Sequence, residues 1–124
     1  MKAYTDISQS KKLAEILPID TADQCFLNDG TAIKAEINSY AVAMKLWKEH
    51  YIEIIPCWSL AALLGVLSKT AHSIDEDGSV SLGSYKNIEW GLCLTNTNVE
   101  LFTANNPVDA CYQMIMNLHE LKML

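Results

Sequence analysis

The chain has 124 residues, a formal net charge of −6, a hydrophobic content of 50% and a charged content of 19%. This length fits one domain, and the composition is too apolar for an intrinsically disordered chain. All nine basic residues are lysines and no lysine-rich run occurs, which argues against direct binding to nucleic acid because bidentate phosphate and base contacts favour arginine.

The first predicted element is a helix over residues 6–17. Asp6 and Gln9 have the spacing of a capping box at its start, and Pro18 ends it. One apolar face recurs at helical spacing and consists of Leu13, Ile16 and Leu17.

Residues 24–37 then predict a β-hairpin. Its turn, Asn28-Asp29-Gly30, contains residue types that tolerate the positive φ of tight turns. In the second strand, Ile33 and Ile37 alternate with charged residues, which indicates a half-buried strand.

Residues 39–55 have features of both helix and strand. The composition from Tyr40 to His50 favours a short helix, although its alternating apolar residues also fit a strand. The run from Tyr51 to Ile55 predicts a strand that leads into Pro56.

The segment that follows, PCWSLAALLGVL, is almost continuously apolar and predicts a buried helix over residues 57–68. Pro56 suits the first turn of this helix because its missing N–H has no helical partner there. The segment is far shorter than the ~20 apolar residues that span a bilayer, so we expect no membrane partner.

The second half predicts a polar loop from Ser73 to Ser84 and strands over residues 85–94 and 98–103. An amphipathic helix then starts at Pro107, with Asn106 as its N-cap. Its apolar stripe consists of Val108, Cys111, Met114, Ile115, Leu118 and Leu121.

Helices and strand pairs are segregated along the chain rather than strictly alternating. This pattern predicts a single α+β domain over residues 1–124, with about three helices packed on an antiparallel sheet built from hairpins. We expect nearly complete burial of five core residues, which are Ile16, Leu63, Leu64, Ile115 and Leu118.

The four cysteines are widely scattered and form no Cys-x-x-Cys pair, so we expect free thiols in a reduced, cytoplasmic protein. Cys57 is the best candidate for a catalytic group, because a helix N-terminus lowers the pKa of a thiol. The favoured interpretation is a buried, unreactive thiol beside Trp58, since free cysteine is among the most buried residue types. A cysteine-dependent enzyme that uses Cys57 is the alternative.

The sequence contains no pattern typical of a metal or cofactor site. His50, His72 and His119 are far apart, and the acidic run from Asp75 to Gly78 lacks the full ligand set of a calcium loop. The five glycines are isolated, so no phosphate-binding loop occurs. We therefore predict no metal and no cofactor.

Aromatic residues in the segments 24–55 and 70–103 are the candidate binding residues. Tyrosine and tryptophan supply large contact areas at interfaces. A second interpretation, of equal weight, is that these aromatic side chains complete the hydrophobic core. The candidates are Tyr40, Tyr51, Tyr85 and Trp90.

Three blocks of sequence carry a resemblance. They are YTDISQSKKLAEILP from Tyr4 with its continuation through Thr21-Ala22-Asp23, PCWSLAALL from Pro56, and the stretch from Asn106 to Leu124. With these blocks the chain resembles a group of short uncharacterised proteins of gut anaerobic bacteria and their phages or other mobile elements. The resemblance implies a shared scaffold and a mobile-element setting. The group has no established activity, so the resemblance implies no functional residue.

Together these observations favour a small non-catalytic module for protein interaction or regulation. Its expected partner is a host protein or a second copy of the chain. A small-molecule-binding domain is a further alternative, which requires an apolar pocket with convergent polar groups.

Overall fold

The computed structural model describes residues 2–85, 89–94 and 102–124, apart from the side chains of residues 84–85, 89–94 and 102–103. Within these residues there are four α-helices and six strands, which confirms the predicted α+β class. The helices are α1 (Ile7–Ala14), α2 (Tyr40–Trp47), α3 (Leu60–Ile74) and α4 (Pro107–Glu120). The strands are β1 (Gln24–Asn28), β2 (Ile33–Glu36), β3 (Glu53–Cys57), β4 (Val80–Tyr85), β5 (Glu89–Leu94) and β6 (Phe102–Ala104). None of these helices is long and apolar enough to cross a membrane.

The chain divides into two compact units. The N-terminal unit comprises residues 4–62, and the C-terminal unit comprises residues 1–3 and 63–124. Each contains one three-stranded antiparallel sheet, with strand order β2-β1-β3 in the first and β4-β5-β6 in the second. The strands therefore form two sheets where the sequence predicts one. The single domain over residues 1–124 stays a prediction.

Strand β1 lies at the centre of the N-terminal sheet and contributes buried side chains to both faces. On one face, Tyr4 and Ile7 pack against a buried cluster that consists of Phe26, Ile55 and Cys57. On the other face, Ala43 of α2 packs against Cys25 and Leu27. This sheet is thus covered on both sides at β1.

The capping box of α1 and the β1–β2 hairpin are both confirmed. The Asp6 carboxylate accepts the N–H of Gln9 at 2.8 Å, and the Gln9 side chain accepts the N–H of Asp6 at 3.1 Å. In the hairpin, Asn28 pairs with Ile33, and Gly30 has a φ of 94°, which favours glycine.

Strand β2 is more exposed than its sequence predicts. Ile33 is 44% exposed and Ile37 is 80% exposed, so the prediction of a half-buried strand is wrong. The physical reason is that β2 is an edge strand. The main sheet contacts of α1 are with β3, and those of α2 are with β1 and β3.

The placement of Pro56 in a helix is also wrong, because Pro56 lies in β3 opposite Cys25. Strand β3 is at an edge of the sheet, where a residue without an N–H need not remove a ladder bond. The helix begins later than predicted, at Leu60. Ser59 caps it, since its Oγ accepts the N–H of Ala62 at 3.2 Å.

In the C-terminal unit, α4 packs on β5 and β6. The Asn106 side chain accepts the N–H of Asp109 at 2.9 Å, and Pro107 lies in the first turn, as predicted. The Asp109 carboxylate also pairs with the Lys2 ammonium at 2.8 Å. The predicted stripe is buried from Val108 to Leu118, whereas Leu121 is 53% exposed.

Two further predictions need correction, that of a polar loop over residues 73–84 and that of the five core residues. The loop predicted over residues 73–84 instead contains the end of α3 and strand β4, and part of the strand predicted over 98–103 lies outside the described residues. Among the five predicted core residues, Ile16 and Leu64 are only half-buried. The three that are fully buried are Leu63, Ile115 and Leu118.

Candidate functional site

Cys57 lies at the end of β3 and is fully buried. The Thr5 hydroxyl donates to Cys57 Sγ at 3.7 Å, and the thiol donates to the carbonyl oxygen of Thr5 at 3.5 Å. Thr5 Oγ1 also lies 2.8 Å from Ser10 Oγ and accepts the N–H of Trp58 at 3.2 Å. The thiol is therefore one member of a buried hydroxyl cluster that consists of Thr5, Ser10 and Cys57.

The hydroxyl cluster does not activate the thiol. Burial raises the pKa of Cys57, although hydrogen bonds from Thr5 and Ser10 act in the opposite direction. Because Cys57 lies in a strand rather than in the first turn of a helix, the predicted effect of a helix N-terminus does not apply. Burial also raises the pKa of Cys25 to about 11 and that of Cys111 to about 12. Burial therefore disfavours the thiolate form, which is the nucleophilic form, at each of these three cysteines.

The residues next to Cys57 are also committed to internal hydrogen bonds. The indole N–H of Trp58, which is fully buried, donates to Thr21 Oγ1 at 2.9 Å. The Asp23 carboxylate accepts the N–H of Ser59 at 2.9 Å and the Ser59 hydroxyl through its other oxygen. These bonds fix the backbone where β3 passes into α3. They also join two of the blocks that carry the sequence resemblance, those that begin at Tyr4 and Pro56.

Two of the predicted binding residues, Tyr40 and Tyr51, lie at the same buried cluster. Both are partly buried, and with Trp47 and Ile54 they pack on Cys25, Leu27 and Ala43. The Ser39 hydroxyl caps α2 by accepting the N–H of Val42 at 3.3 Å. One side of α2 is thus held firmly on the sheet.

The opposite side of α2 carries exposed apolar residues that the sequence interpretation missed. Val42 is 43% exposed and Leu46 is 60% exposed, and their spacing of four places them on one side of the helix. Lys45 is exposed on the same side. We call Val42, Lys45 and Leu46 the α2 surface. A helical wheel for Tyr40–Trp47 places these three residues on one side. Only the knowledge that Ala43 faces the sheet shows that this side is exposed.

The other two predicted binding residues belong to the C-terminal unit. Tyr85 is the last residue of β4, and Trp90 lies in β5 opposite Ser84. Their side chains lie outside the described part of the chain, so their role in binding stays a prediction.

The described residues contain no group of three or more His, Cys, Asp or Glu side chains that could hold a metal ion. The acidic run after α3 forms a turn, in which the side chain of Asp75 accepts the N–H of Asp77 at 2.8 Å. The carbonyl oxygen of Asp75 accepts the N–H of Gly78 at 2.8 Å. His119 is exposed on α4.

No family model, curated protein or solved structure matches the chain. The resemblance to proteins of gut anaerobes and mobile elements therefore stays a prediction. The α2 surface is the candidate functional site, because it combines exposed apolar side chains with a firmly packed helix.

Proposed function

We propose that the chain is a protein-interaction module and that its N-terminal unit binds a partner protein through the α2 surface. The observation that supports this is the pair Val42 and Leu46, exposed on one side of a single short helix. A single exposed leucine is ordinary, but apolar residues grouped on one face indicate a recognition surface.

The packing of α2 on the sheet orders this surface before a partner binds. Ala43 is fully buried, and Tyr40 and Trp47 pack on the same cluster, so the helix is ordered before any partner arrives. A preordered surface loses less conformational entropy on association than a mobile one. Tyr40 and Trp47 therefore hold α2 on the sheet, and the exposed side chains of Val42 and Leu46 make the contact with the partner.

The chemistry of the α2 surface also indicates what binds it. Val42 and Leu46 supply an apolar centre, and Lys45 is exposed next to them on the same side of the helix. Interfaces commonly combine an apolar centre with a polar, solvent-accessible rim. We expect a partner with an apolar side chain flanked by a carboxylate. With the mobile-element setting that the resemblance implies, this partner is a host protein.

The test uses the immobilised full chain and a lysate of the organism that encodes it. Captured proteins are identified by mass spectrometry, and each is then purified and its Kd measured. The test variant is Val42→Ser with Leu46→Ser. The control is Ile19→Ser, which changes an apolar residue that is 44% exposed in the same unit. Far-UV circular dichroism checks that both variants fold.

We expect the Kd for the partner to rise at least about tenfold in the double variant and less than about twofold in the control. Equal binding by the wild type and the double variant contradicts the proposal. So does the failure of every captured protein to bind the purified chain.

A further inference from the structure

The edge strand β2 offers a second surface, separate from α2. It lies at one end of the sheet order β2-β1-β3, and most of its residues are exposed. Ile37, which follows it directly, is 80% exposed. An exposed edge strand is a template for pairing with another strand.

The hairpin bonds show which backbone groups of β2 are available. The N–H of Asp29 donates to the carbonyl oxygen of Ala32 at 3.3 Å, one step beyond the last pair of the β1–β2 ladder. Asp29 and Ala32 therefore form a hydrogen-bonded pair. Because hydrogen-bonded and non-bonded pairs alternate in an antiparallel ladder, the next pair, Asn28 and Ile33, is non-bonded, and the backbone groups of Lys34 bond to β1. The backbone groups of Ile33 and Ala35 then point away from β1, towards the open edge.

We propose that two copies of the chain associate by antiparallel pairing of β2 with β2, about a two-fold axis at Ala35. In this register Lys34 of each copy lies opposite Glu36 of the other. Ile33 of each copy lies opposite Ile37 of the other, and the outward backbone groups meet in phase. The β2-β1-β3 sheet of one copy then joins the β2-β1-β3 sheet of the other into one continuous sheet.

Charge complementarity selects this register over its neighbours. The outward backbone groups of one copy can bond only where they lie opposite outward backbone groups of the other copy. Every second register meets this condition. A two-fold axis at Lys34 places the two Lys34 side chains opposite each other, and an axis at Glu36 does the same for the two carboxylates. Like charges directly opposite destabilise a strand pair. The register at Ala35 alone among these three pairs opposite charges.

The pairing also places these charges favourably within the ladder. Lys34 and Glu36 of the two copies meet at non-hydrogen-bonded positions, where side chains of opposite strands are closest. In the single chain, the Glu36 carboxylate accepts the N–H of Ile37 at 3.0 Å. In the pair, Lys34 of the second copy binds that carboxylate, and the N–H of Ile37 donates to the backbone of Ile33 of the second copy.

Sedimentation equilibrium of the full chain over a range of concentrations tests the proposal. The contact is short, so we expect a weak dimer, with a Kd below about 1 mM. Lys34→Glu alone and Glu36→Lys alone each place like charges opposite each other. Either change should raise the dimer Kd at least about tenfold. The double variant restores opposite charges and should dimerise as the wild type does.

Mixing the two single variants gives the sharpest result. In the mixture every contact between different chains pairs opposite charges, so the variants should form a heterodimer with a Kd close to that of the wild type. A general effect on folding cannot produce this recovery. A wild-type chain that stays monomeric up to about 1 mM overturns the proposal. So do single reversals that leave the Kd unchanged, and a mixture that does not associate.

Circular dichroism checks the fold of each variant. If a single reversal unfolds the chain, the salt dependence of the wild-type dimer decides, because ion pairs are screened at about 1 M salt. A Kd that rises with salt supports the proposal, and a Kd that is insensitive to salt overturns it.

Discussion

The indole N–H of Trp58 donates to the hydroxyl oxygen of Thr21 at 2.9 Å, across 37 positions of the sequence. The Thr21 hydroxyl donates onward to the carbonyl oxygen of Pro18 at 2.6 Å. Since Trp58 is fully buried, its N–H depends on this one acceptor for a partner.

Replacing Thr21 with valine should lower the free energy of unfolding by about 1–3 kcal/mol, because a buried donor loses its partner while side-chain shape is kept. Urea denaturation monitored by tryptophan fluorescence measures the loss. Thr21→Ser is the matched control, since it keeps the hydroxyl. Equal losses in the two variants would show that the hydrogen bond contributes nothing.

The raised pKa of the Cys111 thiol predicts that the protein loses stability at alkaline pH. Its pKa is raised from 9.0 to about 12, so the unfolded chain releases this proton at lower pH than the folded chain does. The free energy of unfolding is therefore unaffected by this group below pH 9 and falls as pH rises towards 12. Between about pH 8 and about pH 10 the expected loss is about 1.4 kcal/mol for this thiol.

Urea denaturation at both pH values measures that loss in the wild type and in Cys111→Ala. The variant should be less stable at both pH values, but its stability should change less between them. A pH dependence that is identical in the two proteins contradicts the assignment to Cys111.

Gly65 and Gly78 should respond oppositely to alanine. Gly65 lies in α3, and no neighbouring atom lies within 4 Å of the position that a Cβ would take, so Gly65→Ala should raise the free energy of unfolding by about 0.5–1 kcal/mol. A Cβ at Gly78 would lie 2.5 Å from the carbonyl oxygen of Ala71 and 2.9 Å from that of Asp75. Gly78→Ala should therefore cost about 1–3 kcal/mol. Thermal unfolding of both variants checks this, and shifts of Tm in the same direction would contradict it.

Asp29 should titrate well below an ordinary aspartate. Its carboxylate accepts the hydroxyl of Thr31 at 2.7 Å, the N–H of Thr31 at 2.8 Å and the N–H of Ala32 at 3.0 Å, and these bonds lower its pKa to about 2. Because the folded-state pKa lies below the ordinary value of 3.8, the turn is stabilised above pH 3.8. That stabilisation is lost as pH falls towards 2.

Carbon-13 NMR of the Asp29 carboxyl group measures its titration midpoint. Thr31→Val removes the hydroxyl bond, which is the largest cause of the shift, and should move the midpoint towards 3.8. A wild-type midpoint near 3.8 would show that the turn does not hold these bonds in solution.

The sequence predicts well those features that depend on neighbouring residues. The capping box of Asp6 and Gln9 and the N-cap at Asn106 are hydrogen bonds over three positions, so their residue types are sufficient evidence. The turn at Gly30 is local in the same way.

Features set by distant residues could not be predicted. Whether Ile33 is buried depends on β2 lying at the edge of its sheet, and whether Pro56 fits a strand depends on β3 lying at the other edge. The hydroxyl cluster joins Thr5 to Cys57 across 52 positions. For α2, the composition indicates a helix but not which side packs on the sheet. The aromatic candidates therefore marked its packed side, and the exposed pair Val42 and Leu46 was missed.

The two edges of the N-terminal sheet differ in their capacity for growth. At the β3 edge, Pro56 has no N–H to offer, and the carbonyl oxygen of Trp58 already accepts the N–H of Thr5 at 3.0 Å. At the β2 edge, the ladder to β1 leaves alternate backbone groups directed outward. A fibre of stacked strands requires a free edge at both ends of every copy. At the β3 edge of this sheet the row of donors is interrupted at Pro56, so repeated strand addition is disfavoured and the unit is protected in part against open-ended aggregation.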